Sequence, residues 1–285
     1  MARTVRDILA NAKAETEVIA VCDGSWPDPP LPDHPRLNVI HFTMPVGQRG
    51  AFNMGARISR AKYVMKLDGH SAVDEGFDTK LAEPYENGTL SMDTTTIPRM
   101  RNLHVYDWEC QGCKWRTFQG RKPTECPQCK HTEFVKAEVW QLRRTTTDFA
   151  CFDRDMKFQY WQSYARRKEA QGDIADVLSS VGACFFMPRA RFWAQGGLDE
   201  QTGFWGQFGT EVSCKAWLSG GRQVVNKKTY FAHYFRVNGA GFPYPISGND
   251  QDRARIFSGK FWPVKDWSDE DLAKLRQPGV QFAAR

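Results

Sequence analysis

The sequence predicts an α/β protein: a Rossmann-like, mostly parallel sheet flanked by helices, interrupted by an inserted cysteine ribbon. Three observations carry that expectation. Short apolar runs alternate with amphipathic stretches through the first part of the chain, the pattern of βαβ units. Two Cys-x2-Cys pairs, Cys110/Cys113 and Cys126/Cys129, stand twelve residues apart in a segment too short to bury its own core. Strand-like runs then resume, so the ribbon interrupts the α/β pattern rather than ending it.

In order, Val5, Ile8, Leu9 and Ala12 fall at i, i+3, i+4 and i+7, which makes residues 3–14 an amphipathic helix. Glu17 to Cys22 reads as a buried strand ended by Asp23-Gly24-Ser25. The Pro-rich stretch from Trp26 to Pro35 cannot be regular structure, because proline fixes φ and lacks a donor. Asn38 to Phe42 is a second strand, and Gly50 to Ala61 a helix preceded by Arg49 and carrying Asn53, Arg57 and Arg60. The next strand, from Lys62, runs into the acidic turn Asp68-Gly69-His70. A nucleotide-binding α/β domain ordinarily opens on a strand; here the opening β-strand is absent and a helix comes first, so that strand is supplied differently or the sequence starts at an internal Met. Leu90 to Ile97 is a further strand. Residues 108–140 form the insert, and eight Lys or Arg stand against three Glu between Lys114 and Arg144. Phe149 to Ala170 is aromatic and basic (Phe158, Tyr160, Trp161, Tyr164, Arg166, Arg167, Lys168) and is expected to be a helix or lid. Val181 to Met187 is a buried strand, Gly196 to Glu200 a loop, and Thr210 to Leu218 a helix stopped by Gly220-Gly221. Phe231 to Arg236 follows another strand, and the tail ends in a helix capped by Ser268 with Asp271.

With 285 residues, 41% of them apolar, the chain can bury a sizeable core. No apolar run approaches the roughly 20 residues a spanning helix needs, and no secretory signal opens the sequence. The expectation is a cytoplasmic protein (host cytoplasm if viral) with no membrane partner. A net charge of +6 and a pI near 8.9 suit an anionic ligand and permit a nucleic-acid partner. Beyond the ribbon, Cys22, Cys151, Cys184 and Cys214 are scattered singly, the usage of a reducing compartment.

The four ribbon thiolates have the spacing to surround one tetrahedral Zn²⁺ with no open position, a structural metal. The ribbon is then either a docking module or a staple on a long loop. The second constellation is Asp23, Arg49, Asp68, His70 and His233, spread over strand ends, where open α/β sheets hold ligands. Read alone, Asp68-Gly69-His70 is as well an Asp-Gly turn with a solvated histidine, and His233 a satisfied core histidine.

The ordered set is more specific than its members. The sequence resembles GT-A fold glycosyltransferases of the family 2 type and, in its second half, the polypeptide N-acetylgalactosaminyltransferases. Val21-Cys-Asp-Gly-Ser25 is similar to the strand end that holds the nucleotide, Arg49 to Arg57 to an Arg-rich helix before the metal motif, and Leu67-Asp-Gly-His70 to the Asp-x-His form of that motif. Gly196 to Glu200, Trp205-Gly206, Glu211 to Ser213 and Gly220-Gly221 follow the acceptor-side block in order, and His233-Tyr-Phe-Arg236 resembles the segment supplying a third metal ligand. The resemblance implies a nucleotide-sugar-binding half (1–107), the zinc ribbon (108–140), an acceptor-side half (141–242) and a C-terminal extension (243–285). It also implies Mn²⁺ (or Mg²⁺) on Asp68, His70 and His233, with Asp23, Arg49 and Arg236 on a nucleoside-diphosphate sugar, UDP-sugar favoured. Glu211 is the candidate base, or else an acceptor ligand or helix cap, because Phe208-Gly209 stands where relatives carry an acidic pair or Glu-Asn. The acceptor is a hydroxyl. The basic ribbon and aromatic segment point to a hydroxymethylated pyrimidine in DNA, as in bacteriophage DNA modification. A glycan or protein Ser/Thr acceptor, and a non-catalytic zinc-ribbon nucleic-acid-binding protein, are the alternatives.

Overall fold

The structure, a computed structural model, describes residues 1–235 and 248–262. Arg236 and the expected helix at Ser268 lie outside them. The chain opens on α1 (Ala2–Asn11), followed by β1 (Val18–Asp23), β2 (Leu37–Phe42), α2 (Gly47–Ile58), β3 (Tyr63–Leu67), β4 (Ser71–Val73) and α3 (Phe77–Glu86). Then come β5 (Thr94–Cys110), β6 (Arg116–Phe118), β7 (Phe134–Thr147), β8 (Ala150–Phe152), β9 (Phe158–Tyr160), β10 (Ile174–Asp176) and β11 (Cys184–Pro188). The described part closes with α4 (Arg189–Ala194), α5 (Phe208–Leu218), β12 (Arg222–His233) and α6 (Gly248–Phe261).

The main sheet has eight strands, with β10-β12-β5-β11-β3 along its spine. It is mixed where a mostly parallel sheet was expected. β12 runs parallel to β5, whereas β11 is antiparallel to both β5 and β3, and β4 and β10 are antiparallel to β12. Side chains alternate across the pleat, so Phe185 and Met187 enter one core with Phe149, Phe208 and Val212, while Phe186 enters the other with Val73, Leu81 and Tyr85. Burial on both faces explains why β11 is apolar throughout, with no polar alternation. Helix α3 covers the Phe186 face; α4 and α5 cover the Phe185 face.

Strand β5 begins at Thr94, later than expected, and continues well past Ile97 because its distal half pairs with β7 from Met100↔Thr147 to Cys110↔Phe134. The ribbon is therefore the tip of a long antiparallel arm. The segment 149–170 is neither a helix nor a lid of exposed rings. It forms the β8/β9 hairpin and two short 3-10 turns, with Phe149, Phe152 and Tyr164 drawn into the core and Tyr160 left exposed. Tyr164 is buried beside Phe149, and Trp161 stacks on it with ring centroids 4.4 Å apart. Strands β1 and β2 pair parallel in a sheet of their own, and among the described residues no ladder joins β1 to β3.

Candidate metal and nucleotide site

Asp68 directly follows β3, held there by its amide donating to Ala183 O at 3.0 Å. The chain turns at Gly69-His70 and lays β4 antiparallel against the end of β12, with Ser71 opposite His233. That pairing brings a histidine 165 positions away to the turn: His233 Nε2 lies 3.1 Å from Asp68 Oδ2. His70 Nε2 lies 3.8 Å from the same oxygen, and the two imidazole centroids are 4.6 Å apart. The ligand atoms of Asp68, His70 and His233 all lie within 4.8 Å of one another, a spacing that one cation could bridge. The Tyr234 amide donates to His70 O at 3.1 Å, which fixes the turn against the strand end.

Lys66 completes this cluster, and the sequence reading missed it. It sits two residues before Asp68, on the same side of β3, only 6% exposed, and its ammonium donates to Asp68 Oδ1 and to Gly182 O. The signal was the period of two in Lys66-Leu67-Asp68, hidden because a lysine in an apolar strand is usually read as an edge charge. Burial alone would raise the Asp68 carboxyl. The Lys66 ammonium, then the His233 hydrogen bond and the nearby imidazoles, outweigh it and hold that carboxyl well below the usual range. The group is thus an anion ready to ligate. Cys184, buried beside it, is pushed up by burial and stays a neutral thiol.

Asp23 ends β1 and accepts from the amides of Val46 at 2.6 Å and Gly47 at 2.9 Å, so it anchors the start of α2. Gly24 is required beside it: φ is +71°, and an added Cβ would lie 2.6 Å from the Pro45 ring. Asp23 and Asp68 line one cavity of 680 Å³.

Arg49 and Glu211 are brought together as a buried pair. Each is 1% exposed, with Arg49 Nε 2.7 Å from Glu211 Oε2. The remaining Arg49 nitrogens donate to Gly203 O and Gly206 O at 2.9 and 2.8 Å, and its guanidinium lies 4.4 Å over the Phe208 ring. Glu211 Oε1 accepts from the Asp199 amide and Lys215 Nζ, at 2.6 and 2.9 Å. In this arrangement each Arg49 nitrogen and each Glu211 oxygen has a protein partner, the engagement of a buried clamp. They clamp the segment 196–207 and the start of α5 to α2, as does Asn53 through Leu198 O and Glu200. Gly209, in the pair where an acidic residue was looked for, permits a close approach: a Cβ there would lie 1.7 Å from Ser180 O.

The cysteine ribbon is built from two matching knuckles. Lys114 N donates to Cys110 O and Lys130 N to Cys126 O, both at 3.0 Å, and both lysines have positive φ, +63° and +62°. The four sulfurs lie within 4.8 Å of one another, with Cys110–Cys129 and Cys113–Cys126 at 3.5 and 3.6 Å, and all are free thiols. A tetrahedron with Zn–S bonds of about 2.3 Å has edges of about 3.8 Å.

Residues 1–124 match the family model described as glycosyl transferase family 2. Polypeptide N-acetylgalactosaminyltransferase 3 of Drosophila melanogaster is 23% identical over 140 residues, 47% of this chain and 20% of the relative. A probable N-acetylgalactosaminyltransferase 9 of Caenorhabditis elegans is 28% identical over 88 residues, 31% and 15% of the two chains. The chain spans a fifth or less of the length of these curated relatives. Among solved structures, the crystal structure of GalNAc-T7 with UDP, GalNAc and Mn²⁺ superposes with a TM-score of 0.63 at 16% identity, covering 96% of this chain and 46% of that one. A likeness at that identity speaks to the fold. The chain therefore has the GT-A fold, and its residues 1–124 are similar to glycosyl transferase family 2.

Proposed function

We propose that this protein is a divalent-metal-dependent glycosyltransferase that moves a sugar from a nucleoside-diphosphate donor, a UDP-sugar, to a hydroxyl. The observation that carries the reading is the convergence of Asp68, His70 and His233 at the edge of the cavity that Asp23 also lines. One carboxylate and two imidazoles leave cation positions open to phosphate oxygens and suit Mn²⁺ or Mg²⁺. Such a cation, bound there, neutralises charge on a departing diphosphate as a Lewis acid. The chain's own residues do the rest. Asp68 supplies the anionic ligand, Lys66 holds it ionised and oriented, and His233 is fixed by the β4/β12 pairing. Asp23 binds the nucleoside side of the donor while capping α2. Arg236 is assigned to the diphosphate from its place in the His233–Arg236 motif. Glu211 and Arg49 we now assign to positioning the acceptor-side loop, on their mutual burial.

The four cysteines hold a structural Zn²⁺. For the acceptor we retain a hydroxymethylated pyrimidine in DNA, on charge alone, since Tyr164 and Trp161 pack inward. Arg143 and Arg144 stand exposed on the arm that carries the ribbon.

Hydrolysis of a UDP-sugar panel with Mn²⁺ tests the reaction. Turnover should fall by about 10²-fold or more in Asp68→Ala and His233→Ala; no turnover with any donor, or turnover indifferent to both changes, would sink the proposal. Mass spectrometry of hydroxymethylated DNA incubated with the same donors tests the acceptor. A mass shift confined to a peptide or glycan would refute the DNA assignment.

A further inference from the structure

The arm formed by β5 and β7 has two faces, and one of them leads to the metal edge. Tyr106 and Trp108 are two residues apart on β5 and so share a face, which Lys136 joins from β7 opposite Trp108. The rings continue in both directions. Tyr106 meets Trp108 edge-on with centroids 5.5 Å apart and Tyr234 at 6.1 Å, and Tyr234 meets His70 at 6.2 Å. At the other end Trp108 packs on Cys110, Cys126 and Phe134 of the ribbon. A row of aromatic side chains thus runs from the candidate metal ligands to the cysteine cluster. Its length follows from β5, on which Asn102 lies opposite His233 and Cys110 opens the ribbon, about 27 Å of strand.

Cations border that row. Lys136 Nζ lies 4.8 Å from the centre of the Tyr106 ring and 5.4 Å from that of Trp108. Tyr106 Oη and Trp108 Nε1 both donate to Gly120 O, at 3.4 and 3.0 Å, which sets the exposed pair Arg121-Lys122 next to the same rings. The carboxylates of the arm are already engaged: Asp107 with His104, Glu109 with Arg116, Glu125 with Lys130, Glu133 with His131, and Glu138 with Arg3 of α1. Arg121, Lys122 and Lys136 make no ion pair among the described residues, so three positive charges stand uncompensated along the rings. Arg143 belongs to the other face. It lies 4.7 Å over Phe118, which pairs with Asp107, and Asp107 alternates with Trp108. Uncompensated cations over flat rings fit a polyanion that itself carries flat groups, with phosphates on the cations and bases on the rings. An acidic polypeptide would use the cations alone.

We propose that this face of the arm is a track for a single strand of DNA. Its phosphates lie along Arg121, Lys122 and Lys136, a base packs on the half-buried Trp108, and the strand passes Tyr234 to reach the His70 edge. The proposal rests on the reading of the acceptor as a base in DNA, and adds which surface delivers it. A base to be modified has to leave its duplex to reach a cation held at a strand end. An arm that grips the unpaired strand beside that edge offsets the cost of unpairing. The cysteine cluster serves the same end, because Arg121 and Lys122 lie on the chain between its two knuckles.

Fluorescence anisotropy of a labelled single-stranded oligonucleotide of about 12 nucleotides, read without any sugar donor across a salt series, tests it. Arg121→Ala, Lys122→Ala and Lys136→Ala combined should weaken binding by about tenfold or more. They should also reduce the slope of log K against log salt by about 2, since each phosphate contact on a single strand contributes about 0.7. The charge-conserving set Arg121→Lys, Lys122→Arg and Lys136→Arg should keep the parent slope, and so should Arg143→Ala on the opposite face. An unchanged slope in the triple alanine protein, or an equal loss from Arg143→Ala alone, would overturn the proposal. So would equal displacement of the DNA by polyglutamate at the same charge concentration, which would assign the face to an acidic polypeptide. Because binding is read without donor, the two readings fail separately. A protein that binds as expected but transfers no sugar to DNA refutes the acceptor reading alone; one that modifies DNA with its slope unmoved by the alanines refutes the track alone.

Discussion

Arg49 and Glu211 illustrate how burial decides a role. A guanidinium and a carboxylate this deeply buried are tolerable only because each polar atom has a partner, and removing one leaves the other charged and uncompensated at a cost of about 3–5 kcal/mol. Glu211→Gln should therefore lower stability by about 3 kcal/mol, which is a fall in Tm of roughly 6–12 °C for a chain of this size. A general base would behave otherwise, with turnover lost and melting unchanged. Asp78 makes the complementary case with a single carboxylate. It accepts from the amides of Lys13, Ala14 and Thr79 and from Thr16 Oγ1, tying the α1–β1 connection to α3. Burial raises its carboxyl, but these donors outweigh it and hold it below the ordinary value. Because the folded-state value is depressed, the stabilisation is present above the unfolded value near pH 4 and is lost as pH falls through the folded one. Asp78→Asn should cost about 2 kcal/mol at pH 7 and converge on the parent protein in acid denaturation curves once the pH has fallen through the depressed folded-state value; parallel curves at all pH values would contradict this.

At the scale of elements, the ribbon stands apart. Its small cluster of Cys110, Cys126 and Phe134, flanked by Trp108 and Trp115, is too little apolar surface to hold a fold by itself. Metal affinity is folding energy in such a unit. Cys113→Ser or a strong chelator should open the tip of the β5/β7 arm, seen as lost amide protection between 110 and 134, while β12 and β11 keep theirs. Loss of protection throughout the sheet would contradict the ribbon's independence. The spacing of the cysteines made this unit readable from sequence, because a metal imposes its own geometry on local chain. The aromatic segment after it was misread for the opposite reason. Nothing local distinguishes Trp161 and Tyr164 as core residues from rings on a lid; the decision belongs to Phe149 and the β8/β9 hairpin, which only tertiary packing supplies.

For the whole molecule, the site is assembled from both sides of the ribbon. Asp68 and His70 were legible as a turn at a strand end, yet their partner His233 arrives only through the β4/β12 ladder, a pairing no periodicity encodes. The resemblance to known transferases supplied that link before the structure did. It could not supply Lys66, or the mutual engagement of Arg49 and Glu211, since these depend on which side of a strand or helix meets which loop. The mixed sheet has the same origin: the alternation of strands and helices is local, whereas the antiparallel placement of β11 between β5 and β3 is a matter of long-range pairing. On the proposed function, β3, its following turn and β12 are united by a shared cation. The most direct test is electron paramagnetic resonance of Mn²⁺ titrated into the protein with UDP present. The account predicts one bound Mn²⁺ per chain, lost in Asp68→Asn and in His233→Ala and retained in Cys113→Ser; Mn²⁺ binding that survives both Asp68→Asn and His233→Ala would contradict it.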